Sequence, residues 1–217
     1  MDISICLDAA RPWSELLELA RRADKEEVYA IYVPDHFGIY REAWTLLSAL
    51  AACTERVQLG TLVVGVTHRH VPLLLEMTRS LDEVSGGRLV LGLGAGWDEV
   101  EHRSLALPFP TLGDRMNLLE SACRRLTDAG PPPLLVGGGG ERRTMPIAAR
   151  YASAWHAWAE PEAFQHKCGV MDQLCRAAGR EPSSVRRATG AVLLNENEPA
   201  AILAAYQDAG ADEFIVR

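Results

Sequence analysis

Short runs of apolar residues alternate along this chain with longer segments in which apolar residues recur at helical spacing. Because the short runs have few regularly spaced polar positions, they predict strands buried on both faces of a parallel sheet. The predicted strands are 2–7, 28–33, 57–66, 88–93, 133–136, 154–158, 185–194 and 213–216. The segments between them predict helices at 13–24, 42–53, 72–84, 113–126, 141–151, 161–178 and 199–209.

Strands that alternate with helices form right-handed βαβ units around a parallel sheet. Eight such strands favour closure as a (β/α)8 TIM barrel, in one α/β domain spanning residues 1–217. A doubly wound open sheet is the alternative. It is disfavoured because the G-x-G-x-x-G pattern of dinucleotide-binding sheets does not follow the first strand.

The composition and charge of the chain argue against several classes of binding partner. The 217 residues are 48% hydrophobic and 24% charged, with a formal net charge of -7, which argues against binding to nucleic acid or an anionic membrane. No apolar run approaches the roughly 20 residues of a membrane span, and the first residues lack the basic region of a signal peptide. The five cysteines form no C-x-x-C pair, which predicts unpaired core residues in a cytoplasmic protein and no zinc site.

Polar residues and glycines collect where the predicted strands end. In a barrel these ends share one face, where α/β barrels bind their ligands. From spacing alone simpler roles stay open, since an acid can cap the next segment and glycines can form tight turns. The residues concerned are Asp35 and His36; Gly65, Val66 and Thr67; Gly94, Ala95, Gly96 and Trp97; and Gly137, Gly138, Gly139 and Gly140.

Several segments carry a resemblance to a known family. They are YVPDHFG at 32–38, EAWTLLSALAACTERVQLGTLVVGVTHRH at 42–70, SLDEVSGGRLVLGLGAGWDEVEHRSLALPFP at 80–110, PPPLLVGGGGERRT at 131–144 and AARYASAW at 148–155. Together they are similar to the luciferase-like monooxygenase superfamily, and most of all to its actinobacterial members assigned to coenzyme F420, a 5-deazaflavin. The resemblance implies an oxidoreductase that passes a hydride between the deazaflavin and a small organic substrate. An FMN-dependent monooxygenase with a partner reductase and a non-catalytic flavin-binding barrel are the alternatives.

The resemblance also implies roles for single residues. Asp35 and His36 match an acid–histidine pair near the reactive part of the ring, where a carboxylate beside an imidazole can hold one tautomer. Gly65 and Val66 match a place where the family often has a non-proline cis peptide behind the ring, with an ordinary β-bulge as the alternative. Trp97 stands where sugar-phosphate dehydrogenases of the superfamily carry a glutamate, which counts against such a substrate.

The two glycine-rich turns are implied to cradle the cofactor. The amides of 94–96 would approach its polar edge or side chain. The run 137–140 precedes the helix predicted at 141, whose first amides could bind phosphate together with Arg142 or Arg143. Glu141 at the same place would repel an anion, and a flexible turn is the alternative.

Other features have structural as well as chemical interpretations. His68 and His70 form an H-x-H pair, but no carboxylate cluster completes a metal site, so no metal is predicted. Arg88 and Glu101 could form a buried ion pair under the barrel mouth as readily as contact a ligand. Glu27 stands where relatives usually have a glycine after a helix, which predicts a strained or reshaped turn.

Compared with such relatives, the chain is short at 38–42, 126–131 and 195–198, and it ends at Arg217 where a final helix is expected. Either the barrel has lost loops on its ligand face, or the sequence omits mobile segments. We favour the second explanation, because a barrel without its last helix would expose apolar strand surface. Relatives are commonly dimers, so we expect a homodimer, with the helix that carries Trp44 as a candidate contact.

Overall fold

The computed structural model of the chain describes residues 1–130, 132–192 and 199–217. Within these ranges the strands are β1 (Asp2–Cys6), β2 (Ala30–Val33), β3 (Gln58–Thr61), β4 (Val64–Gly65), β5 (Leu89–Gly94), β6 (Leu134–Gly137), β7 (Ala154–His156), β8 (Arg186–Ala191) and β9 (Glu213–Val216). The helices are α1 (Trp13–Lys25), α2 (Ala43–Cys53), α3 (Val71–Ser85), α4 (Glu99–Ser104), α5 (Leu112–Asp128), α6 (Thr144–Tyr151), α7 (Pro161–Ala177) and α8 (Pro199–Asp208).

The strands form one closed parallel sheet. Its order is β3-β2-β1-β9-β8-β7-β6-β5-β4, and a further pairing of β3 with β5 closes the ring. Because β3 and β4 both pair with β5, they are two halves of a single strand position. The sheet therefore has eight strand positions, and the predicted TIM barrel is confirmed.

The predicted strands and helices are present with small shifts at their ends. Three differences matter for the ligand face. The helix predicted to begin at 141 begins at Thr144, after a turn, and the short helix α4 was not predicted. The predicted strand 185–194 ends at Ala191; its last two positions, with the short loop at 195–198, lie outside the described residues.

Apolar side chains pack on both faces of the sheet, between the strands and the helices and inside the barrel. Side chains that point outward pack against the helices in the larger cluster. The interior is filled by a smaller cluster, Cys6, Ala30, Tyr32, Val90, Leu135, Ala154, Ala188 and Ile215. The five cysteines are unpaired and four are buried. In the described ranges, no helix combines the length and apolarity needed to cross a membrane.

The turn after α1 confirms the strain predicted at Glu27. Glu27 has a φ of 60°, in the left-handed region that glycine adopts more easily. The amide of Val28 donates to the carbonyl of Ala23 at 3.2 Å, so the helix ends in the arrangement that normally uses a glycine.

Arg88 and Glu101 do not form the ion pair that was one of the two interpretations from the sequence, because they lie beyond opposite ends of β5. The Arg88 guanidinium donates to the backbone carbonyls of Ala51, Thr54 and Val57 at 2.9–3.1 Å, at the end of α2 and the start of β3. Arg88 therefore satisfies backbone groups at the amino end of the barrel, far from the ligand face.

Replacement of glycine by alanine is expected to change the free energy of unfolding in opposite directions at two positions. A Cβ at Gly92 in β5 would lie 1.9 Å from the carbonyl oxygen of Thr61, a backbone atom that cannot move aside. We expect Gly92→Ala to lower the free energy of unfolding by about 1–3 kcal/mol. Gly169 lies exposed in α7 with open space around it, so Gly169→Ala should raise that free energy by about 0.5–1 kcal/mol. Urea unfolding of both variants checks this, and a stable Gly92→Ala protein would contradict it.

Candidate functional site

The closed barrel brings the predicted site residues to one face. Asp35 and His36 follow β2, Thr67 follows β4, Trp97 follows β5 and the glycine run continues from β6. Parallel strands of a barrel end on the same side, so these side chains surround one mouth. Their contacts show which of them are available to a ligand.

Asp35 is buried and fully engaged by an arginine. Its two oxygens accept hydrogen bonds from Arg69 at 2.6 and 3.0 Å, and Arg69 also donates to Glu42 at 2.9 Å. Burial raises the pKa of the Asp35 carboxyl, but hydrogen bonds and charge from His68 and Arg69 outweigh it and hold that pKa below its usual value. Asp35 is therefore a charged anchor beneath the mouth.

The carboxylate that holds His36 is that of Glu101, in place of the predicted Asp35. Glu101 Oε2 lies 3.1 Å from His36 Nδ1, and Oε1 accepts the amide proton of Phe37. Asp35 and His36 are neighbours at a strand end, so their side chains leave the backbone in different directions. Helix α4 supplies Glu101, and its first turn is fixed by Asp98, which accepts from the Glu101 amide at 3.0 Å.

His68 lies buried between the two carboxylates. Its Nδ1 is 3.4 Å from Asp35 Oδ2, and its Nε2 is 3.7 Å from Glu101 Oε2. The side chains therefore run from the buried Asp35 through His68 and Glu101 to His36, whose side chain is 29% exposed. At the surface, the ring of Trp97 lies edge-on to that of His36, with 5.6 Å between the ring centroids. This arrangement can hold an imidazole in one orientation and present a proton at the mouth.

Val63, not Gly65 or Val66, projects into the barrel mouth. A Cβ at Gly94 would lie 2.7 Å from Val63 Cγ2, and a Cβ at Gly137 would lie 2.9 Å from Val63 Cγ1. The non-proline cis peptide joins Leu62 to Val63, so the predicted position at Gly65-Val66 is wrong. Those two residues continue the regular ladder instead: Gly65 pairs with Gly94, and the Val66 amide donates to the Gly94 carbonyl. Glycines in the neighbouring strands thus make room for Val63.

Thr67 and Gly96 make their contacts within the protein. The Thr67 hydroxyl lies 2.6 Å from His102 Nε2, and His102 Nδ1 lies 2.6 Å from the Asp98 carbonyl. Gly96 has a φ of 73° and its carbonyl accepts from Arg115 at 3.1 Å. These groups hold the loop after β5 in shape, while cofactor contacts by Thr67, Ala95 and Gly96 stay a prediction.

The glycine run after β6 is held by a lysine from α7. Lys167 Nζ donates to the Gly139 carbonyl at 2.9 Å and to Glu141 at 3.0 Å. The charge of Glu141, predicted to repel an anion, is thereby balanced. Arg143 donates to Asn117 at 2.7 Å, and α6 begins only after it. Phosphate binding at 137–140 stays a prediction.

Sequence reasoning missed part of this site. Sequence reasoning considered His68 only as part of an H-x-H metal motif, which it rejected, and it assigned no role to Arg69 or Glu42. The segment THRH, directly after the third predicted strand, was the available signal, because its side chains had to lie on the ligand face. Among the described residues, no three His, Cys, Asp or Glu side chains are grouped so that they could hold a metal.

The chain is similar in sequence to known proteins. A family model described as luciferase-like monooxygenase matches residues 2–216. The F420-dependent glucose-6-phosphate dehydrogenase of Amycolatopsis mediterranei is 34% identical over 90 residues, which is 38% of this chain and 27% of the relative. Across the similar curated relatives, the aligned segments cover 26–35% of each relative's length.

Two solved structures show the same fold. The coenzyme F420-dependent tetrahydromethanopterin reductase of Methanopyrus kandleri superposes with a TM-score of 0.82 at 14% identity, over 99% of this chain and 92% of the other. The oxygenating constituent of 3,6-diketocamphane monooxygenase from Pseudomonas putida, in complex with FMN, gives a TM-score of 0.76 at 15% identity, over 88% and 67%.

Proposed function

Since this chain belongs to the luciferase-like monooxygenase family, we propose that it is an oxidoreductase that binds coenzyme F420 and passes a hydride between it and a small organic substrate. One observation carries the proposal. A partly exposed His36 imidazole, held by the buried carboxylate of Glu101, stands at the mouth of a barrel whose interior ends in the apolar side chain of Val63.

The residues at the mouth fit a flat ring with a polar edge. Val63 gives an apolar surface, and the neighbouring Gly94 and Gly137 carry no side chains that would stand in front of it. His156, on the strand beside Gly137, has a buried Nε2 atom with no hydrogen-bond partner in the described part of the chain. An apolar surface with a few polar groups at its edge is typical of cofactor sites.

The side chains have separate roles in this proposal. The deazaflavin, when bound, supplies a ring carbon that gives or accepts a hydride, a chemistry that does not readily activate oxygen. His36 holds the proton that must enter or leave the substrate with that hydride. Glu101 keeps the imidazole in one tautomer, and the ion pair of Asp35 with Arg69 fixes the loop from which His36 projects.

The choice of cofactor and substrate rests on relatives and on charge. The Amycolatopsis mediterranei relative is F420-dependent, which favours the deazaflavin, whereas a structural neighbour with FMN keeps the monooxygenase as the second candidate. Trp97 is 73% exposed at the mouth. The nearby cations Arg69 and Lys167 are held by Glu42, Asp35 and Glu141, so we propose a substrate without a phosphate group.

A fluorescence titration tests the cofactor. We expect saturable, micromolar binding of coenzyme F420 by the purified protein and much weaker binding of FMN under the same conditions. Tight binding of FMN alone would replace the proposal with a monooxygenase that needs a partner reductase. Binding of neither would contradict the proposed activity and favour a barrel without turnover.

We also propose a homodimer in a reducing, cytoplasmic compartment. Trp44 itself is buried against Arg69, so the predicted contact through its helix needs outer residues. Leu73 and Val84 on the adjacent α3 are exposed apolar side chains and support such a face. Four buried, unpaired cysteines suit a reducing compartment. Light scattering coupled to gel filtration tests the dimer.

A further inference from the structure

His156 is a buried polar residue outside the series of side chains that runs from Asp35 through His68 and Glu101 to His36. It ends β7, pairs in register with Gly137 of β6 and Ala188 of β8, and is 3% exposed. Ala154, two residues earlier on the same strand, belongs to the cluster inside the barrel. Because alternate residues of a strand face the same side, the imidazole of His156 also points into the barrel.

The imidazole has an unused hydrogen-bonding atom. Nε2 is fully buried and has no partner among the described residues. Buried polar atoms without a partner are rare in folded proteins, and each costs stability. Burial lowers the pKa of His156 to about 3, so the ring is neutral near pH 7 and suits a neutral polar group.

The surroundings of His156 place it at the edge of the proposed ring site. Gly137 lies between His156 and Val63, because the missing Cβ of Gly137 faces Val63 at 2.9 Å. The half-exposed ring of Trp158 packs edge-on against the imidazole of His156, with 4.6 Å between the ring centroids. A flat ligand on Val63 would thus extend one of its edges over Gly137 towards His156.

We propose that His156 Nε2, which has no partner among the described residues, hydrogen-bonds a carbonyl or N–H group on the polar edge of the deazaflavin ring. Trp158 covers this contact from solvent. The inference rests on the proposed function, since it assumes that the ring binds at Val63. It assigns to His156 a binding role, separate from the proton held at His36.

Two measurements on His156→Leu test the proposal. Removal of an unpaired buried atom should raise the Tm of the ligand-free protein by about 2–4 °C. Loss of one hydrogen bond should weaken the binding of coenzyme F420 about tenfold, as measured by fluorescence. His156→Asn, which keeps a polar group, is a second variant and should weaken binding without the gain in Tm. Gln173→Leu, at an exposed position of α7, is the control and should change neither value.

The outcomes separate this inference from the proposed function. A higher Tm together with weaker binding in His156→Leu supports the role of His156. A lower Tm, or unchanged affinity beside normal binding by the unsubstituted protein, overturns it and makes His156 a structural residue. If the unsubstituted protein does not bind coenzyme F420, the proposed function fails, and the binding role of His156 fails with it.

Discussion

Replacement of Glu101 by glutamine is expected to lower the rate of hydride transfer by about 10²-fold or more, while the affinity for coenzyme F420 changes little. The amide keeps the size of the carboxylate and can still accept the Phe37 amide proton. It removes the negative charge 3.1 Å from His36 Nδ1, so the imidazole is no longer held in one tautomer or stabilised when protonated. Loss of general acid–base catalysis costs typically 10²–10⁴-fold.

The measurement is the rate at which the deazaflavin fluorescence changes with a substrate found by screening, beside a titration of cofactor affinity. Glu99→Gln is the matched control, because Glu99 lies on the same short helix and forms an ion pair with the exposed Arg103. We expect it to leave both values unchanged. If the Glu101→Gln variant turned over at the full rate, the prediction would be wrong and the Glu101–His36 pair would have no role in the mechanism.

Replacement of Arg69 by methionine is expected to lower the free energy of unfolding by about 3–5 kcal/mol. The Asp35 carboxylate would stay buried and lose both bonds from the guanidinium. Breaking one side of a buried ion pair leaves an uncompensated charge, which is the costly case. Arg69 also packs on the rings of Phe37 and Trp44, with its Cζ atom 5.3 and 4.7 Å from the ring centroids. Those contacts add to the loss.

The pH dependence separates the charge effect from a packing defect. The folded-state pKa of Asp35 is depressed, so its stabilisation is present above the unfolded-state pKa and is lost as pH falls through the folded-state pKa. Without Arg69, burial favours the protonated form, and the penalty is greatest at neutral pH. The stability difference between the two proteins should therefore shrink between pH 7 and pH 4, as measured by urea unfolding.

Glu42→Gln is the control for Arg69→Met. It preserves the contact of Arg69 with Asp35. It removes the charge of a partly exposed carboxylate and one of its two acceptor oxygens, which bond Arg69 and the Thr45 amide, so it should cost about 1 kcal/mol. An Arg69→Met deficit that does not change with pH would contradict a buried, charged Asp35.

The general architecture was predictable because it is encoded locally. Apolar runs such as the one in β5 predict buried strands, and their alternation with helices leaves few topologies other than a parallel barrel. Closure also follows the chain order, so the face that carries His36, Trp97 and the glycine-rich turns was identified correctly. The sequence motifs also indicated the family, and the match to the family model confirms it. Membership of the family in turn limits the reactions to be considered.

The pairing of side chains at the mouth was decided only by the tertiary structure. His36 and Glu101 are 65 positions apart, and no local pattern indicates that α4 carries its carboxylate to that imidazole. Sequence proximity favoured Asp35 instead, whose carboxylate is engaged by Arg69. In the same way Gly94 and Gly137 were predicted to admit a ligand, but they first make room for Val63, which lies on another strand position.

Periodicity and chain order alone therefore predict the strands, the helices other than α4, the barrel and its ligand face. The three-dimensional packing determined the partner of His36, the residue that fills the mouth and the burial of the His156 Nε2 atom. These depend on distances between side chains from different strands and helices. Such distances are set only when the barrel closes and every neighbour is in place.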